Sequence, residues 1–270
     1  MRDAAKRAAR TAERSPVMRV LARGGYAANG AVHVLIGVIV LVIAFGGQGE
    51  SDQAGAFTAI AAAPAGFLAL WTLAVMLAGL GVWHVLDGVL TARGSTAGKW
   101  GVRVSRWSQA AVFLALAAIA ASVALGARPD ADETAEDASR GALAIPGGVV
   151  VLFLVGAGIA IGGVVFAVMG VRRSFRDKMK LPEGRLGNAV VTLGLVGFVA
   201  KGVALLIVGI LVIVAAVRVD PEAAGGLDGA IAALRSMFLG PLAVASVGAG
   251  LIAYGVFCFF RARFAWLDAP

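Results

Sequence analysis

The chain is short of the residues on which most enzyme sites are built. It has one cysteine, Cys258, in 270 residues, which excludes an intrachain disulfide, and a lone thiol in an apolar stretch reads as inert. Histidine occurs twice, as His33 and His84, with no HxxxH or CxxCH spacing for a metal or haem. Charged residues make up 15%, well under the roughly 25% of soluble domains. No nucleophile–base pair is recognisable. The Gly-rich stretch Gly156–Gly163 lacks the preceding strand and following Lys-Ser/Thr of a phosphate loop, so it reads as a packing surface.

Apolar residues are what the chain has, at 60%, with a mean hydropathy of +0.88. Six runs are long enough to cross a ~30 Å hydrocarbon core as helices: Gly24–Phe45, Gly66–Leu90, Trp107–Gly126, Gly148–Val171, Ala189–Val217 and Leu239–Phe260. They do not alternate polar with apolar residues, which favours helices over a barrel.

The net charge of +8 is a matter of topology rather than nucleic-acid binding. Nineteen of 24 Lys and Arg lie in the N-terminal tail, the second and fourth loops and the C-terminal tail. Ten of 16 acidic residues lie in the other three loops, five of them between Asp130 and Asp137. The positive-inside rule then predicts a multi-pass protein of the plasma membrane with both termini cytoplasmic. The basic segment before the first run, with no small-residue cleavage site, is expected to be the flank of an uncleaved signal anchor. The acidic third loop lacks the oxygen spacing of a calcium site and reads as solvated.

Internal repetition is the strongest pattern. GYAANGAVHVLIG (Gly25 to Gly37) returns as GFVAKGVALLIVG (Gly197 to Gly209). Further on, the stretch from Gln53 to Ile60 answers that from Leu227 to Leu234, and Gly81-Val82-Trp83 answers Gly255-Val256-Phe257. A weaker middle copy has Ser139-Arg140-Gly141-Ala142-Leu143 in the outer loop, and anchoring Gly126 on Gly46 sets Gln109 opposite Asn29. Each unit is a helix going out, a loop segment in which Gly55 or Gly229 is expected to make the entry turn of a short interfacial helix, and a helix coming back. All three units start on the same side, so the repeats are parallel. The expected fold is therefore an all-α integral membrane bundle of six transmembrane helices, as three parallel two-helix repeats with pseudo-three-fold symmetry. The units are 20–93, 94–180 and 181–270, after a basic tail at 1–19.

On these features the chain resembles the bacterial membrane proteins grouped as domain of unknown function 1206, over roughly Val20 to Leu267. The middle unit departs from the pattern, with Arg106-Trp107 where a Gly-aromatic pair is expected. The resemblance implies a six-helix membrane protein and carries over no activity and no catalytic residue.

Polar side chains inside spans are costly and mark candidate sites. Here they are Asn29, His33, His84, Asp87, Gln109 and Lys201. Asn29, Gln109 and Lys201 each lie 17 residues before the outer helix end, about 25 Å at ~1.5 Å per residue, hence near the cytoplasmic edge. One reading is a polar chamber in which Asp87 orients His84, His33 faces it, and Asn29, Gln109 and Lys201 form a ring suited to an anion. The other takes each residue singly: Lys201 snorkelling, Asp87 paired with Arg93, Arg103 or Lys201, and the amides bonding between helices. His33 and His84 are a minimal donor set for a metal or haem, so no cofactor is expected. The leading expectation is a structural or partner-binding membrane subunit, with a membrane-protein partner or homo-oligomer and the lipid bilayer as its surroundings. A small-molecule or ion carrier is the alternative.

Overall fold

A computed structural model describes residues 11–12, 15–90, 96–224 and 226–266. Six long helices match the six runs: α1 (Pro16–Ala44), α3 (Gly66–Leu90), α4 (Thr96–Ala124), α6 (Gly148–Arg172), α7 (Arg185–Arg218) and α9 (Gly240–Phe264). Three short helices, α2 (Gln53–Ala61), α5 (Ala131–Leu143) and α8 (Leu227–Arg235), fill the loops at the acidic end, and no strand occurs among the described residues. The other end, where α1 begins and α9 finishes, is the basic end.

The helices overrun the apolar windows where polar sequence can still be helical in water. Ser15 caps α1 by accepting the Met18 N–H at 3.1 Å, and Pro16 follows at the first position, where its missing N–H costs nothing. The third run begins at Trp107, yet α4 begins at Thr96, because its basic first turns extend beyond the hydrocarbon core. The entry turns at the acidic end differ from expectation. Gly55 and Gly229 sit inside the first turns of α2 and α8, and neither has a positive φ. Gly55 is instead required by closeness: a Cβ there would lie 2.4 Å from the Glu50 carbonyl oxygen.

The repeated glycines lie on helix seams. A Cβ on Gly30 would lie 2.7 Å from the Gly255 carbonyl oxygen, and one on Gly37 would lie 2.6 Å from that of Gly248. These residues are seven apart, two turns of one helix face, so backbones of α1 and α9 touch directly. The equivalent residues Gly202 and Gly209 meet Gly163 and Ala160 in the same way, joining α7 to α6. The third seam, α3 against α4, carries Ala110 and Ala117 in that register and packs through Gly81 on Leu114 and Gly88 on Trp107. Every seam thus joins one repeat to the next.

Within a repeat, α1 meets α3 where Gly25 abuts Leu80, and α7 meets α9 where Gly197 abuts the Tyr254 backbone. In the middle repeat the register that sets Gln109 opposite Asn29 puts Ser105, one residue before the expected Arg106, at the Gly25 position, and α4 and α6 do not pack on each other along their length. The six spans therefore form an open arc, α4–α3–α1–α9–α7–α6. Burial follows from this: 56% of the apolar window of α1 is buried, but only 22% of that of α4 and 17% of that of α6 at the two ends. The acidic half of the axis is filled by Val32, Ile36, Val40, Ala117, Ala120, Val123 and Ala204.

Candidate functional site

Asn29 and His33 stand one turn apart on α1, both buried, facing α9 and α7. The His33 Nδ1 lies 2.8 Å from the Asn29 carbonyl oxygen, and its Nε2 lies 3.0 Å from the Lys201 Nζ. A carbonyl only accepts and an ammonium only donates, so Nδ1–H donates to the carbonyl and Nε2 accepts from Lys201, which defines a neutral imidazole. The Lys201 ammonium also lies 4.4 Å from the Tyr254 ring centre and 5.5 Å from that of Phe166. Its charge is thus met by one imidazole nitrogen and two π faces rather than by a carboxylate. Asn29 Nδ2 donates to Cys258 Sγ at 3.4 Å, and the His33 and Tyr254 rings meet edge to face at 4.8 Å. Nearby on α9, Arg261 lies over Tyr26 at 4.4 Å.

The remaining candidates do not join this group. His84 is fully buried in the α3–α4 seam, stacked on Phe113 at 5.5 Å and edged by Trp83 at 5.0 Å, and neither ring nitrogen has a hydrogen-bond partner. Asp87 forms an ion pair with Arg106 at 2.9 Å instead of orienting His84. Arg93 lies outside the described residues. Gln109 is half-buried and donates to the Ser105 carbonyl of its own helix at 2.9 Å. The single chamber of six polar residues is therefore split: Asn29, His33 and Lys201 meet, while His84, Asp87 and Gln109 each have other surroundings. The reason is azimuth. Depth follows from counting residues, but α3 turns His84 and Asp87 into its seam with α4, away from His33, and Gln109 bonds back along its own helix. The two imidazoles consequently do not form a donor pair for a metal or haem, and among the described residues no trio of His, Cys, Asp or Glu is placed to hold a metal.

Tyr254, Phe166 and Arg261 escaped the sequence reading, and Cys258 reads there only as an inert thiol, although repeat register points to three of the four. Extending the match of Gly81 with Gly255 sets His84 on Cys258 and Asp87 on Arg261, and the seam glycine Gly163 sets Phe166 at the same place. Each seam has one construction with different chemistry: Cys258 beside Asn29, Phe166 beside Lys201, and His84 beside the Gln109 helix.

At the acidic end, aspartates lace the repeats together. Asp228 accepts from the backbone N–H and hydroxyl of Ser51, and Asp132 accepts from the Gly226 N–H at 2.7 Å. Asp52 caps α2 by accepting from the Gly55 N–H at 2.7 Å. Burial pushes the Asp52 carboxyl up to about 6; the Gly55 N–H opposes this, while the Asp228, Glu50 and Asp132 carboxylates reinforce it. Burial likewise raises Asp132.

Comparison with known proteins agrees with this architecture. The sequence profile of the Domain of Unknown Function (DUF1206) matches three times, over residues 24–91, 105–173 and 196–265. The uncharacterized protein YxxB of Bacillus subtilis (strain 168) is 28% identical over 253 residues, covering 92% of each chain. No solved structure matches. With three copies of one repeat, a seam glycine pattern common to the first and third, and a match over most of its length, the chain belongs to the DUF1206 family of membrane-type helical proteins.

Proposed function

We propose that the protein is a partner-binding membrane subunit, and that its docking place is the opening between α4 and α6. The observation that carries this reading is the missing contact: the first and third hairpins close on Gly25 and Gly197, and the middle one stays open. The face of α6 turned away from α7 suits a helix. Gly156 and Gly163 pack on α7, while Gly158 and Gly162, about 200° and about 240° round the helix from Gly156, point away from α7 with nothing within 4 Å. This is a GxxxG spacing, on which helix backbones approach closely in lipid. Across the opening, Gln109 bonds only its own helix, and lipid tails offer an amide nothing. The occupant that answers both is a transmembrane helix with small residues and a polar group. Charge distribution supports a plasma-membrane orientation with both chain ends cytoplasmic.

The test is gentle solubilisation from native membranes, followed by native mass measurement. The wild-type chain should carry a stoichiometric companion. Gly158→Ile/Gly162→Ile should lose it with its own thermal unfolding unchanged. A bare wild-type monomer, or a companion retained by the variant, counts against the reading.

A carrier remains the second reading, favoured by the part-buried Lys201–His33 pair at 3.0 Å. It requires that Lys201→Met abolish ion or anion flux in proteoliposomes, and the absence of flux in the wild-type protein removes it. The apolar packing of Ile36, Val40 and Val123 across the acidic half speaks for the first reading.

A further inference from the structure

At the basic end of α6 the chain reverses through a left-handed residue, Arg173 (φ 55, ψ 28), into the short 3-10 turn Ser174–Lys178. A pocket of about 530 Å³ opens there, lined by Arg172, Arg173, Ser174, Arg176, Asp177, Met179 and Leu181. Three guanidiniums and a hydroxyl stand against one carboxylate, over an apolar floor of Met179 and Leu181. None of the three arginines forms an ion pair among the described residues.

The turn is held in shape from both sides. Phe175 is buried between Phe198 at 5.3 Å and Phe257 at 5.0 Å. Beyond it, Lys180 N–H donates to the Phe264 carbonyl at 2.8 Å and Trp266 N–H to that of Lys178 at 3.1 Å, so Met179 pairs with Ala265. Such fastening reduces the ordering cost of capturing a ligand. The left-handed conformation strains a side-chain-bearing residue where glycine would be relaxed. In a chain with 37 glycines, an arginine holds this position. Planar guanidiniums suit phosphate oxygens because they offer paired N–H donors.

We propose that this turn binds a phosphate group: the headgroup phosphate of an anionic phospholipid or a free phosphate. A lipid would lay its glycerol and chain roots on Met179 and Leu181 beside the exposed side of α6, and a free phosphate would use the arginines alone.

The experiment measures binding of fluorescent phosphatidylglycerol to the full-length protein in neutral micelles, with inorganic phosphate as competitor and phosphatidylcholine as the uncharged reference. At ~1 kcal/mol per arginine near a lipid surface, Arg172→Gln/Arg176→Gln should weaken binding about 30-fold. Arg185→Gln/Arg263→Gln removes equal charge from the same end and should weaken it less than about threefold. Arg173→Gly separates binding from folding: it should raise the thermal midpoint, by relieving strain, and still weaken binding about fivefold. Displacement by millimolar phosphate identifies a free anion as sufficient, and resistance to it identifies the lipid. Equal losses in the two double variants, or wild-type binding by Arg173→Gly, overturn the proposal.

Discussion

Replacing Gly37 with alanine tests the seam argument most sharply. The new Cβ would lie 2.6 Å from the Gly248 carbonyl oxygen and 2.8 Å from the Ile252 nitrogen, both backbone atoms that no rotamer change can move. Restoring ordinary contact takes a separation of α1 and α9 by roughly 0.7 Å, and a gap of that size forfeits a quarter to a half of each neighbouring dispersion contact. Overpacking of this kind costs about 1–3 kcal/mol, and the gain in helix propensity returns up to ~1 kcal/mol, leaving a net loss of about 1–2 kcal/mol. Gly158→Ala is the matched control. It makes the same chemical change in the middle of a span, with nothing within 4 Å, and should gain about 0.5–1 kcal/mol. The two variants should therefore differ by roughly 2 kcal/mol, about 30-fold in the unfolding equilibrium. Reversible unfolding by dodecyl sulfate in mixed micelles, followed by circular dichroism, reads this difference. Equal stabilities for the two variants would refute the claim that the repeated glycines are there for backbone contact.

Other consequences follow from particular side chains. His84→Phe removes two unpartnered ring nitrogens from a fully buried site, and Phe166 shows that the equivalent seam position accepts phenylalanine; the same unfolding assay should show a gain of ~1 kcal/mol, and a loss would mean that His84 has a partner. Asp87→Asn leaves Arg106 without its carboxylate and should cost ~1 kcal/mol, since both side chains keep some exposure; Arg106→Gln added to it should cost little more if the pair acts as a unit. At the acidic end the folded Asp52 carboxyl titrates near 6, above its unfolded value of 3.8, so folding takes up a proton between these values. Its contribution to stability is present in full below 3.8 and is lost as the pH rises through about 6. The thermal midpoint should thus rise as the pH is lowered from 7 to 5, and Asp52→Asn, which still caps α2, should flatten that dependence; an unchanged slope would show that Asp52 is not the group responsible.

What could be read from the sequence was what depends on one dimension. Hydropathy locates six spans because each must cross the same hydrocarbon thickness, and the Gly25/Gly197 repeat gives register because duplication preserves spacing. Charged loops fix which ends lie together. Rotation about each helix axis is different, since it is decided by which neighbour a face meets. Asn29, Gln109 and Lys201 share a depth, yet only Asn29 and Lys201 meet through His33, while Gln109 sits on a helix that has no return partner beside it. The open middle hairpin left one faint trace, Ser105 where glycine is required for closure, and its meaning depends on knowing what Gly25 and Gly197 touch. The α6 start of the basic turn was invisible for the same reason: Arg172, Arg173 and Arg176 read as one more positive loop until Phe175 and the Met179–Ala265 pairing fold them round a pocket.

The central claim, that the opening beside α6 receives a partner helix, is tested most directly by a photoreactive side chain at Gly158 in native membranes. A control at Val196, which α7 exposes elsewhere on the bundle, accompanies it. The account predicts one protein adduct of defined mass at Gly158, absent at Val196 and abolished by Gly162→Ile, with a second copy of the chain recognised by a doubled mass. Lipid adducts alone at both positions would contradict it.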